Sequence, residues 1–190
     1  MRLRNTNTDY GAVSQSLHWL TVVFVALAWL SGILGDELPG GMRKSGLLVH
    51  IFTGLAILVL MAARMGWRAF DRMPLAEGAD RTSSVSRWVE LAGRMAHVGL
   101  YALLIAVPVI GIVLQFARGE ALPLFGLMEI TSPWQKDRAF AHNVKELHEI
   151  AAHGLVVLAG LHGGAALAHH WIFRDRTLVR MLPHFTKRAG

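Results

Sequence analysis

The chain contains no cysteine, and charge is scarce: Asp, Glu, Lys and Arg make up 17% of its 190 residues, whereas apolar types make up 53%. The missing thiols exclude a disulfide framework, thiolate metal sites, iron–sulfur clusters and a cysteine nucleophile. So apolar a composition excludes a disordered or fibrous chain. It also leaves too little polar surface for a soluble globule of this size, and so points to a membrane. There is no low-complexity tract and no evident internal repeat. Histidine, by contrast, is plentiful. Most of the ten lie in apolar stretches, where an imidazole is costly unless it is paired or ligated.

A bilayer core about 30 Å thick takes roughly 20 apolar helical residues. Four stretches meet or approach that length, at residues 17–35, 47–66, 96–117 and 147–173. The first has only Asp9 as a charged residue between Arg4 and Asp36, and the third has none between Arg94 and Arg118. Arg64 closes the second stretch and Glu149 opens the fourth, so both are expected to reach an interface by snorkelling. Pro108 predicts a kink in the third helix, not a break. A cleaved signal peptide fits the first stretch poorly. That run is too long for a signal core, no small-x-small pattern follows Gly35, and His18 sits inside it. The expected fold is therefore all-α: an integral membrane four-helix bundle forming a single domain over residues 1–190.

Four spans put both termini on one side, and basic residues decide which. The N-terminus, the connection from Arg64 to Ala96 and the tail after His170 hold 13 of the 19 Lys and Arg. The other side holds Arg43, Lys44, Arg118, Lys136, Arg138 and Lys145. Both termini are thus expected in the cytoplasm, with outer loops at 36–46 and 118–146. The net charge of +6 reads mainly as topology and contact with anionic lipid. Split among three segments without a binding motif, these residues do not suggest a nucleic-acid partner.

His18 lies towards the inner end of helix 1, His50 in the outer part of helix 2 and His97 towards the inner end of helix 3, while helix 4 carries His148, His153, His162, His169 and His170. At 100° per residue, His162 returns to within about 40° of His148, and His169 to within about 20° of His162, so the three form one stripe. His153 points roughly 140° away from His148, towards another neighbour. Fourteen residues at about 1.5 Å each separate His148 from His162 by roughly 21 Å, the spacing of two stacked sites. His50 enters at the depth of His148, and His18 towards the depth of His162, although depth alone also allows His169 as its partner. Two imidazoles opposed across a bundle core suit a haem iron held at both axial positions. Small residues from Gly160 to Ala166 leave room for a flat macrocycle, and without Cys-x-x-Cys-His the haem is expected to be b-type.

Other uses of the same residues carry less of the pattern. A lone membrane histidine is more often an interhelical hydrogen-bond partner, and the Gly160-to-Gly164 spacing is by itself a helix-packing motif. A zinc or copper site lacks carboxylates at matching depth, Glu149 excepted. His142 and His184 are expected in a loop and a tail, as solvated surface residues.

Ser16-Leu17-His18-Trp19-Leu20, Val49-His50-Ile51, Ile105-Ala106-Val107-Pro108-Val109-Ile110-Gly111, Leu147-His148-Glu149 and Gly160-Leu161-His162 with Ala165-Ala166-Leu167-Ala168-His169-His170 together resemble the bacterial cytochrome b561 family, most closely its superoxide-oxidising members. The likeness runs from about Ser16 to Pro183; each motif alone is weak, and the ordered set is specific. It implies an inner-membrane dihaem cytochrome that oxidises superoxide to oxygen at the periplasmic side and passes the electrons to ubiquinone. It also implies His18 and His162 as ligands of an inner haem b, and His50 and His148 as ligands of an outer one. His97, His169 and Arg94 are then expected as contacts for a quinone head group or haem propionates. Arg94 and the connection from Phe70 to Trp88 depart from the family pattern, which bears on the quinone site. The outer loops hold six basic and six acidic residues, so steering of superoxide requires folding to separate the signs. The rival reading is a cytochrome b relay subunit between quinone and a partner dehydrogenase or hydrogenase. A membrane bundle without haem is the third.

Overall fold

The computed structural model describes residues 2–35, 37–71, 74 and 84–183. Four helices dominate: α1 (Ala12–Leu34), α2 (Gly40–Phe70), α3 (Ser84–Ala117) and α4 (Arg138–Trp171). A small antiparallel hairpin, β1 (Leu122–Leu124) with β2 (Met128–Ile130), joins α3 to α4, and a 3-10 turn, Val179–Met181, follows α4. Each of the four helices is long and apolar enough to cross a bilayer. This is a helical membrane bundle.

The helices begin earlier than the apolar stretches do. Hydropathy marks only the hydrocarbon core, and a helix continues into the interface wherever its local chemistry allows. At α4 the Asp137 carboxylate accepts the Phe140 N–H at 3.0 Å, an N-cap that starts the helix ten residues before His148. His142, expected in a loop, is therefore helical. Pro39 precedes the first residue of α2, and the Met42 N–H closes on its carbonyl at 2.7 Å, so the second half of the expected outer loop is helix. Within the inner extension of α3, Glu90 and Arg94 pair at 2.6 Å across one turn. Pro108 lies inside α3, which continues to Ala117, as expected of proline in a membrane helix. Most of the 70–88 connection, together with Asp36 and His184, lies outside the described residues.

Close helix packing runs from α1 to α2, from α2 to α3 and from α3 to α4. Individual side chains bridge α4 to the first pair: His148 meets His50 of α2, and His153 meets Trp29 of α1. The segment after α4 closes the ring at the other end. Its Met181 and Arg180 carbonyls accept from Trp19 Nε1 (2.8 Å) and from the buried Gln15 Nε2 (3.0 Å), both on α1. Gln15 is otherwise an awkward residue at the start of an apolar helix, and this bond satisfies its amide.

The core lies halfway along the bundle, where Ile57, Met61, Leu104 and Leu155 are buried, with Phe24, Val25 and Ala28 of α1 packed against them. The outward faces of all four helices stay apolar, as at Val23, Val59, Val98 and Val157, in keeping with lipid contact. In the three-residue hairpin connection Phe125 (φ 52°) and Gly126 (φ 73°) both take positive φ, and the Leu127 N–H closes on the Leu124 carbonyl at 3.0 Å. The Phe125 ring packs 5.7 Å from that of Phe52, holding the hairpin against α2.

Candidate functional site

Along the interior of the bundle, residues seven apart line up on every helix. They are His18, Val25 and Gly32 on α1; His50, Ile57 and Arg64 on α2; His97, Leu104 and Gly111 on α3; and His148, Leu155 and His162 on α4. Seven residues advance a helix about 20° short of two turns and about 10.5 Å along its axis. Slight supercoiling of a bundle absorbs that drift, so such a seam keeps facing its neighbours. Three layers result. The middle one, Val25, Ile57, Leu104 and Leu155, belongs to the apolar core. The layers on either side hold the histidines.

In the outer layer His50 and His148 face each other, with ring centroids 5.9 Å apart and planes at 78°. His50 Nδ1 lies 2.8 Å from the Ala28 carbonyl on α1, and His148 Nδ1 lies 3.1 Å from the Val107 carbonyl on α3. A carbonyl only accepts, so Nδ1 carries the proton in both rings. Nε2 is then the nitrogen with a free lone pair in the neutral imidazole. The charges that bear on His148 are His50, Glu149 and Arg118. Glu149 is itself paired with Lys145 at 2.9 Å.

The inner layer is more crowded. The His97 and His162 rings lie 5.0 Å apart at 72°, and His97 Nδ1 donates to the Gly93 carbonyl one turn back at 2.8 Å. His18 lies within electrostatic reach of Arg64, His162 and His97. Its ring meets Trp19 edge-on at 5.5 Å. Arg64, expected at the interface, is half-buried and sits 5.5 Å over the Tyr101 ring.

The remaining histidines have other partners. His153 bonds the Glu149 carbonyl and meets Trp29 edge-on at 6.3 Å. His142 pairs with Glu146 at 3.3 Å on the exposed start of α4. His169 continues the α4 stripe, but its Nδ1 is bound to Asp175 Oδ2 at 2.6 Å, which pins the chain after α4 to the helix end. Arg94 stands on an outward flank, 75% exposed and paired with Glu90, apart from the inner histidines.

His50 and His148, presented from facing helices with Nδ1 anchored by a carbonyl and Nε2 left as the donor atom, are ligands of the kind that would hold a haem iron. Trp29 Nε1, buried with no protein acceptor, adds an available donor beside the α1–α4 boundary. The residues present therefore fit haem b. Three further residues enter the layers that the sequence reading did not single out as site residues: Gly32, Gly111 and Arg64. Their signal is the seven-residue spacing, which is visible on all four helices once it is sought on more than α4.

Comparison with known proteins agrees. The sequence model of the family described as prokaryotic cytochrome b561 matches residues 9–184. The chain is 33% identical to a Yersinia pestis protein named "Probable superoxide oxidase CybB", over 92% of this chain and 96% of that one. It is 30% identical to "Cytochrome b561 homolog 2" of Escherichia coli (96% and 95% covered), and 26% identical to "Cytochrome b562" of Cereibacter sphaeroides (91% and 94%).

The Asp175 contact yields an expectation with a definite sign. Partial burial alone would raise this carboxyl, but hydrogen bonds from the Thr177 N–H and from His169 outweigh it and hold the group below its ordinary value. A depressed carboxyl stabilises the fold above its unfolded value and loses that contribution as pH falls through its folded value. Difference infrared spectroscopy against Asp175→Asn should place the protonation of Asp175 below the ordinary carboxylate midpoint. His169→Ala should move it upward. An unmoved midpoint would show that the ion pair has no influence on Asp175.

Proposed function

The chain belongs to the prokaryotic cytochrome b561 family, and on that membership together with its paired histidines we propose that it oxidises superoxide at the periplasmic face of the bacterial inner membrane and delivers the electrons to ubiquinone. The observation that carries this reading is the outer layer, in which His50 and His148 face each other from different helices with each Nδ1 bound to a carbonyl. His50 and His148 would hold one haem iron, and His18 and His162 the other. Bound there, each haem would supply a reversible one-electron couple, and holding it by two imidazoles would favour electron transfer over oxygen binding.

The protein's own residues set access, direction and proton supply. Two superoxide anions each lose one electron to become O2, and one ubiquinone takes up two electrons and two protons. Arg118 is the outer cation whose field reaches His148, and it has no carboxylate partner among the described residues. It favours arrival of a small anion there. Arg64 places positive charge beside the inner histidines, where an arriving electron is stabilised in a low-dielectric setting. Beyond them His169, its Nδ1 held by Asp175, leaves Nε2 to meet a quinone oxygen, and His97 is the second candidate contact. Arg94, exposed and paired with Glu90, is left out of this set.

Three outcomes test the reading. Purified anaerobically in mild detergent with ubiquinone, the protein should show its haem absorption bands shift to the reduced form on addition of superoxide, followed by quinol. His148→Ala should bind one haem in place of two. Haems that stay oxidised in superoxide would leave the relay to a protein partner as the function, and copurification with a soluble redox subunit would identify it. Arg118→Glu should slow superoxide oxidation about three- to tenfold at low salt, with the difference shrinking as ionic strength approaches 0.15 M, where the Debye length is about 8 Å. A salt-independent rate equal to that of the unsubstituted protein would remove Arg118 from the entry path. The basic-residue count also supports a topology with both termini in the cytoplasm. A cysteine introduced at Lys136 should react with an impermeant maleimide in intact spheroplasts, and labelling only after lysis would invert the topology.

A further inference from the structure

His50 and His148 are held by the same device twice. His50 bonds the Ala28 carbonyl, and the residue four further along α1 is Gly32; His148 bonds the Val107 carbonyl, and the residue four further along α3 is Gly111. Residues four apart stack on one helix face. Each imidazole therefore spans a carbonyl and the bare backbone of the next turn. A Cβ built on Gly32 would stand 3.1 Å from His50 Cε1 and 3.2 Å from its Nδ1, and one built on Gly111 would stand 3.2 Å from His148 Cε1 and 3.6 Å from its Nδ1. The separations of 3.1 and 3.2 Å are tighter than ordinary carbon contacts at about 3.5–4.0 Å, and that of 3.6 Å is an ordinary contact. Neither ring can yield along its own axis without stretching its bond to the carbonyl.

We propose that Gly32 and Gly111 are positioning residues for the outer redox site: by leaving out a side chain, they let His50 and His148 reach the Ala28 and Val107 carbonyls, which fixes the tautomer, orientation and basicity of both Nε2 atoms. This rests on the reading of His50 and His148 as axial ligands. Cε1 lies between the two ring nitrogens, so pressure at that atom lengthens the Nδ1–H···O bond and tips Nε2 at the same time. An Nδ1 proton drawn towards a carbonyl makes the imidazole a stronger donor through Nε2. A stronger donor favours the oxidised metal. The inner layer differs, because the corresponding seven-spaced positions on α2 and α3 hold Arg64 and His97, and the device belongs to the outer site alone.

Gly32→Ala and Gly111→Ala, prepared separately in the full chain, should keep both haems. Each should move one low-spin electron paramagnetic resonance signal and raise one midpoint potential, by up to a tenfold change in the oxidation equilibrium, about 59 mV for one electron. The other signal and potential should stay where they are. Gly66→Ala controls for helix propensity, since a Cβ there meets nothing within 4 Å, and it should change neither. Unaltered spectra and potentials in both variants, with His148→Ala still losing one haem, would overturn the glycine proposal and leave the ligand reading standing. If His148→Ala keeps both haems, the ligand reading itself fails. The unsubstituted protein gives a check that needs no glycine variant. Its two outer Nδ1 protons should resist exchange into D2O in hyperfine-shifted proton spectra, and rapid exchange of both would refute the proposed anchoring.

Discussion

An imidazole inside a bilayer has two ring nitrogens and no water to satisfy them, and much of this structure follows from that constraint. In the outer layer each ring takes a backbone carbonyl from a neighbouring helix for Nδ1, so His50 binds α2 to α1 and His148 binds α4 to α3. In the inner layer His97 turns to its own helix for the same bond. A carbonyl in the middle of a membrane helix is normally committed to its own turn, and reaching it from the side requires that nothing project from the turn above. Glycine at positions 32 and 111 meets that requirement. The polar chemistry and the helix packing are therefore one problem with one solution.

The seven-residue spacing distributes that solution along the membrane. Val25, Ile57, Leu104 and Leu155 form an apolar floor about two turns from each histidine layer, so the two histidine layers stand about four turns apart. An apolar floor of this kind keeps water and protons from running between the layers. Close packing joins only successive helices, and α4 reaches α1 and α2 through side chains and through the segment that ends at Met181. A bundle closed in this way can hold flat groups between α4 and the first helix pair without giving up its core.

The helices were legible because hydropathy over 20 residues is a strong signal, and family membership was legible because several histidine motifs occur in a fixed order. Helix ends were not, since they depend on single interactions: Asp137 capping Phe140, Pro39 ahead of α2, the Glu90–Arg94 pair. Counting residues puts His148 and His162 on one stripe of α4, and they flank the buried Leu155 at seven residues on either side. Arg64 misled, because a charge near a span end reads as snorkelling until the Tyr101 ring and the inner histidines are seen beside it. Arg94, one turn before His97 on α3, is exposed and paired with Glu90. Glycine 32 and glycine 111 carried no signal of their own; only their distance of seven and fourteen residues from Val25, His18, Leu104 and His97 marks them.

The interior does not by itself distinguish an enzyme from a relay. Relatives of similar identity include a protein named for superoxide oxidation and others named only as cytochromes. What separates the two functions is what the outer surface admits. At the start of α4, Lys145 is paired with Glu149, Glu146 lies beside His142 and Asp137 caps the helix. Arg118, at the end of α3, has no such partner among the described residues. A small anion needs only that local field, whereas a redox protein needs a broad complementary face. On the proposed function, the Arg118 charge at the end of α3, next to a hairpin that packs on Phe52, is the local feature that would favour a small anion.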